Sequence, residues 1–91
     1  MTITYDATVD ATNMGVASGT YYASVPLELD GVDFVLDIDR EGRVLKLEVL
    51  AVSQLFGLIE RYGRRLVVPE RLEDPETFDV WDLFPKAPAH I

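Results

Sequence analysis

Apolar and polar residues alternate with a period of two through residues 25–53, and this stretch organises the rest of the chain. The alternation is interrupted at Asp30-Gly31 and again at Glu41-Gly42, which are dipeptides typical of tight turns. Strict alternation predicts strands that bury one face. Three consecutive antiparallel strands are therefore predicted, and their apolar face comprises Leu27, Leu29, Phe34, Leu36, Ile38, Leu45, Leu47 and Val49.

The lengths of the turns predict the register of the strands. A two-residue loop at Asp30-Gly31 pairs strand 20–29 with strand 33–39 so that apolar residues face one another. A two-residue loop at Ser18-Gly19 pairs strand 11–17 with the same strand 20–29 and extends the same face. The pairs predicted in this way include Leu27 with Phe34, Val25 with Leu36, Ala23 with Ile38, and Val16 with Tyr21.

The turn near Glu41-Gly42 allows few loop lengths. A loop of two residues (41–42) or of four (39–42) places Leu36 beside the apolar face of strand 43–50. A three-residue loop sets Leu36 against Lys46 and requires a bulge. Gly42 is the residue predicted to take a positive φ angle.

The pattern changes to a helical period after the last of these strands. Ser53 is predicted to be the N-cap and Gly63 the residue that ends the helix. The apolar stripe between them consists of Leu55, Phe56, Ile59 and Tyr62. The helix is predicted to cover the apolar face of the sheet, because a bare sheet would leave that face in water.

Helix and strand periods compete in segment 75–84. Asp74-Pro75-Glu76 is typical of a helix start, and the spacing of the following aromatic residues also suits a helix. Alternation of Phe78 with Val80 suits a strand instead, and a short helix is the preferred interpretation. Residues 86–91 are predicted to be a frayed tail.

These elements predict a single α+β domain over residues 1–91. Its core is an antiparallel β-meander of four to five strands followed by a helix packed on the sheet, with a short C-terminal extension. Thr2 to Tyr5 is predicted to be an edge strand, and Pro26 to lie on an edge or at a bulge. Residues 1–56 form the meander core, and residues 57–91 form the helix end and an acidic, aromatic extension.

Composition narrows the classes of function. The net charge of −8 disfavours contact with phosphate backbones, so nucleic-acid binding is not expected. The sequence contains no cysteine, which excludes disulfides and cysteine metal sites. No apolar run approaches the ~18 residues of a membrane span, and the first residues do not resemble a signal peptide. A cytoplasmic protein without membrane contact is therefore expected.

The acids around the turn at residues 41–42 resemble the calcium loop of EF-hand proteins. Oxygen ligands stand at loop positions one, three, five and twelve, and these residues are Asp37, Asp39, Glu41 and Glu48. An EF-hand loop lies between two helices, whereas both flanks here alternate as strands do. The pattern favours a β-turn with solvated acids, and weak cation binding by the four acids is the alternative.

Catalytic residues do not form a recognisable constellation. Asp6 and Asp10 with Tyr5 could act as a carboxylate pair, but aspartates that bind backbone N–H groups in a loop are the favoured interpretation. His90 is the single histidine and has no triad partner in the sequence. We therefore expect no enzymatic activity and no cofactor.

Three short motifs resemble those of a known family. They are Tyr5-Asp6 with Asp10-Ala11, the run from Leu36 to Val44, and the run from Leu47 to Ser53. These are similar to the motifs Y-D-x-x-x-D-A, D-x-D-x-x-G and I-E-[IV]-L-x-A-S of small bacterial proteins grouped as domain-of-unknown-function family 2283. The resemblance covers residues 2–56 and implies a compact β-rich domain. It implies no activity, so no catalytic residue is carried over.

The C-terminal extension combines aromatic residues with acids. Its aromatic residues, Phe78, Trp81 and Phe84, are favoured as core or dimer contacts, and as the alternative they are candidate contacts for a partner. Surrounding acids favour a basic partner. We predict a non-catalytic protein-interaction module that forms a homodimer, with a small basic toxin-like protein as one candidate partner. The alternative is a small cation- or ligand-binding module that uses Asp37, Asp39, Glu41 and Glu48.

Overall fold

The computed structural model describes residues 2–86, so the predicted tail beyond residue 86 and His90 lie outside the described part of the chain. One antiparallel sheet of five strands is followed by a helix. The elements are β1 (Thr2–Asp6), β2 (Ala11–Gly15), β3 (Ala23–Leu29), β4 (Val32–Ile38), β5 (Val44–Leu50), α1 (Val52–Tyr62) and a 3₁₀ turn (Val80–Leu83). The predicted α+β class is confirmed.

The strands follow the order β1-β2-β5-β4-β3, which corrects one predicted pairing. Strand β2 pairs with β5 rather than with β3, so Ser18-Gly19 is not a hairpin turn and Val16 does not face Tyr21. Residues 16–22 instead run past the ends of β5 and β4. The physical reason lies in Pro26, which cannot donate to a ladder and is confined to an edge, and β3 is an edge strand here.

The hairpin at Asp30-Gly31 has the predicted register. Leu27 lies opposite Phe34, and the neighbouring pairs Val25 with Leu36 and Ala23 with Ile38 also form. Asp30 and Gly31 have φ angles of 50° and 87°, as the two central residues of a type I′ turn require. The two-residue turn and the alternating pattern together therefore predict which face of these strands is buried.

The next hairpin confirms the two-residue register over most of its length and then departs from it. Leu36 lies opposite Leu47, but a bulge near the turn places Val44, not Leu45, opposite Ile38. Val44 is fully buried in the core, and Leu45 is covered instead by the 16–22 segment near Gly19. Leu45 is buried as predicted, but it does not lie opposite Ile38, because a bulge adds one residue to β5.

Helix α1 begins and ends almost where predicted, but with a different cap. Gly63 ends it with a φ angle of 63° and donates its N–H to the carbonyl of Ile59 at 3.0 Å. Ser53 is not the N-cap, since the helix starts at Val52 after Ala51, which makes no side-chain cap. Leu55 and Leu58 face the core. Phe56, which was expected in the buried stripe, is 67% exposed.

The C-terminal extension, residues 64–86, closes the core. Leu72 donates its backbone N–H to the carbonyl of Gly42 at 2.8 Å, and its side chain is buried together with Leu83. The predicted helix over 75–84 is not formed, because residues 75–77 make a turn and a single 3₁₀ turn starts only at Val80. Asp79 caps that turn with a reciprocal capping box.

Candidate functional site

The three candidate partner-binding aromatics occupy different environments. Phe84 is 2% exposed and packs edge-on against Phe34, with ring centroids 5.7 Å apart. It is therefore a core residue, as the favoured interpretation expects, and it is not available as a partner contact because its ring is already covered. Phe78 is partly buried against the same core. Trp81 is the most exposed of the three, at 38%.

Trp81 connects the extension to the end of α1. Its ring meets Tyr62 edge-on at a centroid distance of 5.0 Å. The guanidinium of Arg64 lies 5.1 Å from the centre of the Trp81 ring, and Arg64 also donates to the carbonyl of Phe84 at 3.2 Å. Trp81 therefore contacts its own chain and still leaves part of its surface in water.

The carboxylates of the extension lie at the surface. The acidic strip, as we call them, consists of Glu70, Glu73, Asp74, Glu76, Asp79 and Asp82, all exposed. Asp74, Asp79 and Asp82 accept hydrogen bonds from backbone N–H groups at 2.9 to 3.1 Å. Within residues 2–86 the ion pairs are Lys46 with Asp37 and Arg61 with Asp30, so neither involves the acidic strip.

An open apolar hollow of about 460 Å³ borders the acidic strip. Its floor includes Val25 and Pro26 of edge strand β3, and Asp74 and Glu76 form part of its wall. Apolar surface and uncompensated carboxylates therefore adjoin each other at this edge of the sheet.

The four acids of the calcium-like motif do not converge. Asp37 pairs with Lys46 at 3.4 Å. One carboxylate oxygen of Asp39 accepts the N–H groups of Glu41 and Arg43 at 3.0 and 2.8 Å, which is the bonding of an aspartate in a turn. Among residues 2–86, no group of three or more acidic or histidine side chains is placed to hold a metal ion. The weak metal candidates Asp37, Asp39, Glu41 and Glu48 thus do not form one ligand set.

A cluster at the start of α1 joins Ser53 to two polar residues near the start of the chain, Tyr5 and Asp10. The carboxylate of Asp10 accepts the Ser53 hydroxyl at 2.6 Å and the Ser53 N–H at 3.1 Å, across 43 residues. The Asp10 carbonyl accepts the N–H of Val52 at 2.9 Å. Tyr5 donates its hydroxyl to the same carboxylate at 3.1 Å. Asp10 therefore caps the helix from the β1–β2 turn.

Periodicity along the chain does not predict the contact between Asp10 and Ser53. The one signal in the sequence is that Tyr5, Asp10 and Ser53 all belong to the motifs that resemble the bacterial family. The structure brings these three side chains together, which gives the motif residues a structural role.

The electrostatics of this cluster suit a helix cap. Hydrogen bonds from the Ser53 hydroxyl and then its N–H lower the pKa of Asp10. The hydrogen bond to Asp10 raises the pKa of Tyr5, so Tyr5 stays protonated. A carboxylate with a lowered pKa is a weaker general base than an ordinary aspartate.

A second open hollow, of about 530 Å³, lies beside this cluster. Tyr5, Val52 and Phe56 are among its lining residues. Ile3, on the same face of β1 as Tyr5, is 61% exposed, while Tyr5 is 57% and Phe56 67% exposed. We call Ile3, Tyr5 and Phe56 the β1–α1 patch.

Helices of the described residues are all too short or too polar to cross a membrane.

No family model matches the chain, and comparison with curated proteins and with solved structures found no significant match. The resemblance to family 2283 therefore stays a prediction, and the function has to be inferred from the geometry of this chain.

Proposed function

We propose that the protein is a non-catalytic interaction module that binds a basic protein through its acidic strip. The observation that carries the proposal is the array of six exposed carboxylates over residues 70–82, without an ion pair to them within residues 2–86, beside an apolar hollow. Opposite charges steer association and apolar contacts supply buried area, so the two surfaces complement each other.

The acidic strip is held in place before a partner arrives. Asp74, Asp79 and Asp82 each accept a backbone hydrogen bond, which fixes their carboxylates without neutralising them. Trp81 is likewise held by its contacts with Tyr62 and Arg64. Side chains that are already ordered lose little conformational entropy on binding, which favours affinity.

The partner's surface is expected to be basic and partly apolar. A lysine- or arginine-rich face would meet the acidic strip, and an apolar side chain would enter the hollow beside Val25 and Pro26. In one form of this function, the protein is the protective partner of a small basic toxin-like protein. The acidic strip would then cover the basic functional surface of that partner. The protein is proposed to do this as a homodimer.

Charge reversal with a matched control tests the proposal. The double variant Glu73→Lys/Glu76→Lys changes the acidic strip, and Glu41→Lys/Glu60→Lys makes the same charge change at exposed sites elsewhere. Each tagged protein is used to capture binders from the source cells, and the binders are identified by mass spectrometry. We expect to find a basic protein that both the wild type and the control capture. Salt should release it, and the strip variant should fail to capture it.

Two results would contradict this function. One is a specific binder that is acidic or neutral, because the strip would then repel it or contribute nothing. The other is a basic binder that the strip variant captures as well as the wild type does. In that case the interaction surface lies elsewhere on the molecule.

A further inference from the structure

We infer that β1 pairs antiparallel with β1 of a second copy of this chain, about a two-fold axis at Thr4. This inference rests on the proposed homodimer and specifies its interface. Strand β1 is the outermost strand of the sheet, and all five of its residues are exposed. An unpaired strand edge offers a row of backbone donors and acceptors to another strand.

The two edges of the sheet differ in a way that selects β1. Strand β3 carries Pro26, and the register of its two-residue hairpin turns residue 26 towards the free edge, where a backbone N–H is missing. Residues 74–76 also lie beside that edge. Strand β1, in contrast, contains no proline, lysine or arginine and is rich in residues that favour strands. The fold thus blocks pairing at one edge only.

The sequence of β1 is self-complementary about its centre. A two-fold axis at Thr4 places Ile3 of each copy opposite Tyr5 of the other, a β-branched and aromatic pair that stabilises sheets. It places Thr2 opposite Asp6. The two Asp6 carboxylates therefore lie at opposite ends of the pair, and like charges do not meet.

The same pairing brings two β1–α1 patches together. Ile3 and Tyr5 lie on the helix side of the sheet, and Phe56 lines the hollow next to Tyr5. In a continuous sheet both helices stand on the same side, so the six large apolar side chains of the two patches face one seam. More than half of each is exposed in the single chain, and pairing would bury this area.

Charge favours a second copy over a basic protein at this edge. Asp6 belongs to β1, and Asp10, which lines the hollow beside Tyr5, is engaged by Ser53 and Tyr5. The acidic strip adjoins β3, at the opposite edge of the sheet. Two copies can therefore pair through β1 without bringing their acidic strips together, and each strip stays free for its own partner.

A cross-linking experiment on the full chain tests the register. The sequence contains no cysteine, so Thr4→Cys introduces a single thiol. Opposed residues in an antiparallel pair have β-carbons about 4.5–5.5 Å apart, close to disulfide distance. In the same register the thiols of Thr2→Cys lie about 13 Å apart. Under mild oxidation Thr4→Cys is expected to give a covalent dimer, and Thr2→Cys and the β3 variant Ser24→Cys are not.

A second measurement tests the apolar patch by light scattering. Ile3→Lys/Phe56→Lys places two ammonium groups at the seam and should give the mass of one chain, because both positions are exposed and the fold is retained. Tyr21→Lys, at a site 59% exposed and outside the patch, should keep the wild-type mass of two chains.

Any one of three results would overturn the inference. They are a monomeric wild type, a dimer that survives the double lysine change, and cross-linking of Ser24→Cys as strong as that of Thr4→Cys. Capture of the basic partner distinguishes this inference from the proposed function. The Ile3/Phe56 variant is expected to retain that partner, and Glu73→Lys/Glu76→Lys is expected to stay dimeric. The β1 pairing and the binding of a basic partner to the acidic strip can therefore fail separately.

Discussion

Asp10 joins two parts of the chain that are 43 residues apart. It sits in the β1–β2 turn with a φ angle of 53°, a conformation that aspartate tolerates better than most residues. There it satisfies the N–H groups of Val52 and Ser53, which have no partner within the helix. Asp10 therefore supplies, through its carbonyl and its carboxylate, the cap that Ser53 was expected to supply.

Replacing Asp10 should lower stability in a pH-dependent way. Because the folded state lowers the pKa of Asp10, its contribution is present above the ordinary aspartate pKa and is lost as pH falls through the lowered value. We expect Asp10→Asn to melt several degrees below the wild type at neutral pH, with a gap that narrows in acid. Thermal melts from about pH 7 to about pH 3 measure this. Asp33→Asn, at an exposed strand position, is the control, and a gap independent of pH would contradict the expectation.

Phe84 and Trp81 should respond differently to truncation. Phe84→Ala leaves a cavity against Phe34 and should cost about 3–5 kcal/mol of unfolding free energy, as other buried aromatic truncations do. Trp81→Ala should cost less than half as much, because part of its ring is already in water. Urea unfolding gives both values, and equal losses would show that Trp81 belongs to the core as fully as Phe84 does.

The contact between the 41–42 turn and the extension is tight at a single glycine. Gly42 has a φ angle of 84°, and a β-carbon there would lie 2.5 Å from the carbonyl oxygen of Leu72. Gly63, which ends α1, has a similar φ angle of 63° but open space around it. The two glycines thus share a backbone conformation and differ in their surroundings.

Alanine at these two glycines separates backbone strain from steric contact. Gly63→Ala should cost about 1 kcal/mol, the strain of a left-handed conformation alone. Gly42→Ala should cost clearly more, because the extension has to move away from the turn and Leu72 loses its buried position. Chemical denaturation of both variants gives the comparison. If the costs are equal, the extension is not held against the turn.

Elements closed by short turns were predictable from the sequence, and contacts between distant segments were not. The Asp30-Gly31 hairpin follows from two residues and an alternating pattern. The pairing of β2 with β5 depends on segments more than thirty residues apart, and the local pattern of β2 fits β3 equally well. Pro26 did carry the missing information. A strand that contains a proline belongs at the edge of a sheet, so β3 is not expected between two other strands. The cap by Asp10 has no local signal at all.

The whole molecule carries its charge unevenly. Six acids line the extension, and two of them, Asp74 and Glu76, lie beside β3, while β1 at the opposite edge contains a single charged residue, Asp6. The net charge of −8 means that two copies repel each other and that a basic protein is attracted. Both proposed interactions therefore depend on salt, but with opposite sign.

Raising the ionic strength should strengthen the dimer and weaken partner binding. At about 0.1 M salt the screening length is about 10 Å, so repulsion between the two acidic chains falls while the apolar seam is unaffected. Attraction between the acidic strip and a basic protein falls for the same reason. Sedimentation velocity and titration calorimetry at low and high salt measure the two trends. A dimer that dissociates as salt rises would indicate that ion pairs, and not the β1–α1 patch, hold it together.

The bond from Asp10 to Ser53 also has a consequence for folding kinetics. Strands β3, β4 and β5 are joined by short turns and can form early, whereas the helix receives its cap only after the β1–β2 hairpin has docked on β5. Loss of the Asp10 side chain should then accelerate unfolding and leave the folding rate nearly unchanged. In the native state, β1, β2 and the first turn of α1 are expected to exchange their amide hydrogens as one cooperative unit, because detachment of the hairpin removes the cap and frees the start of the helix in the same event.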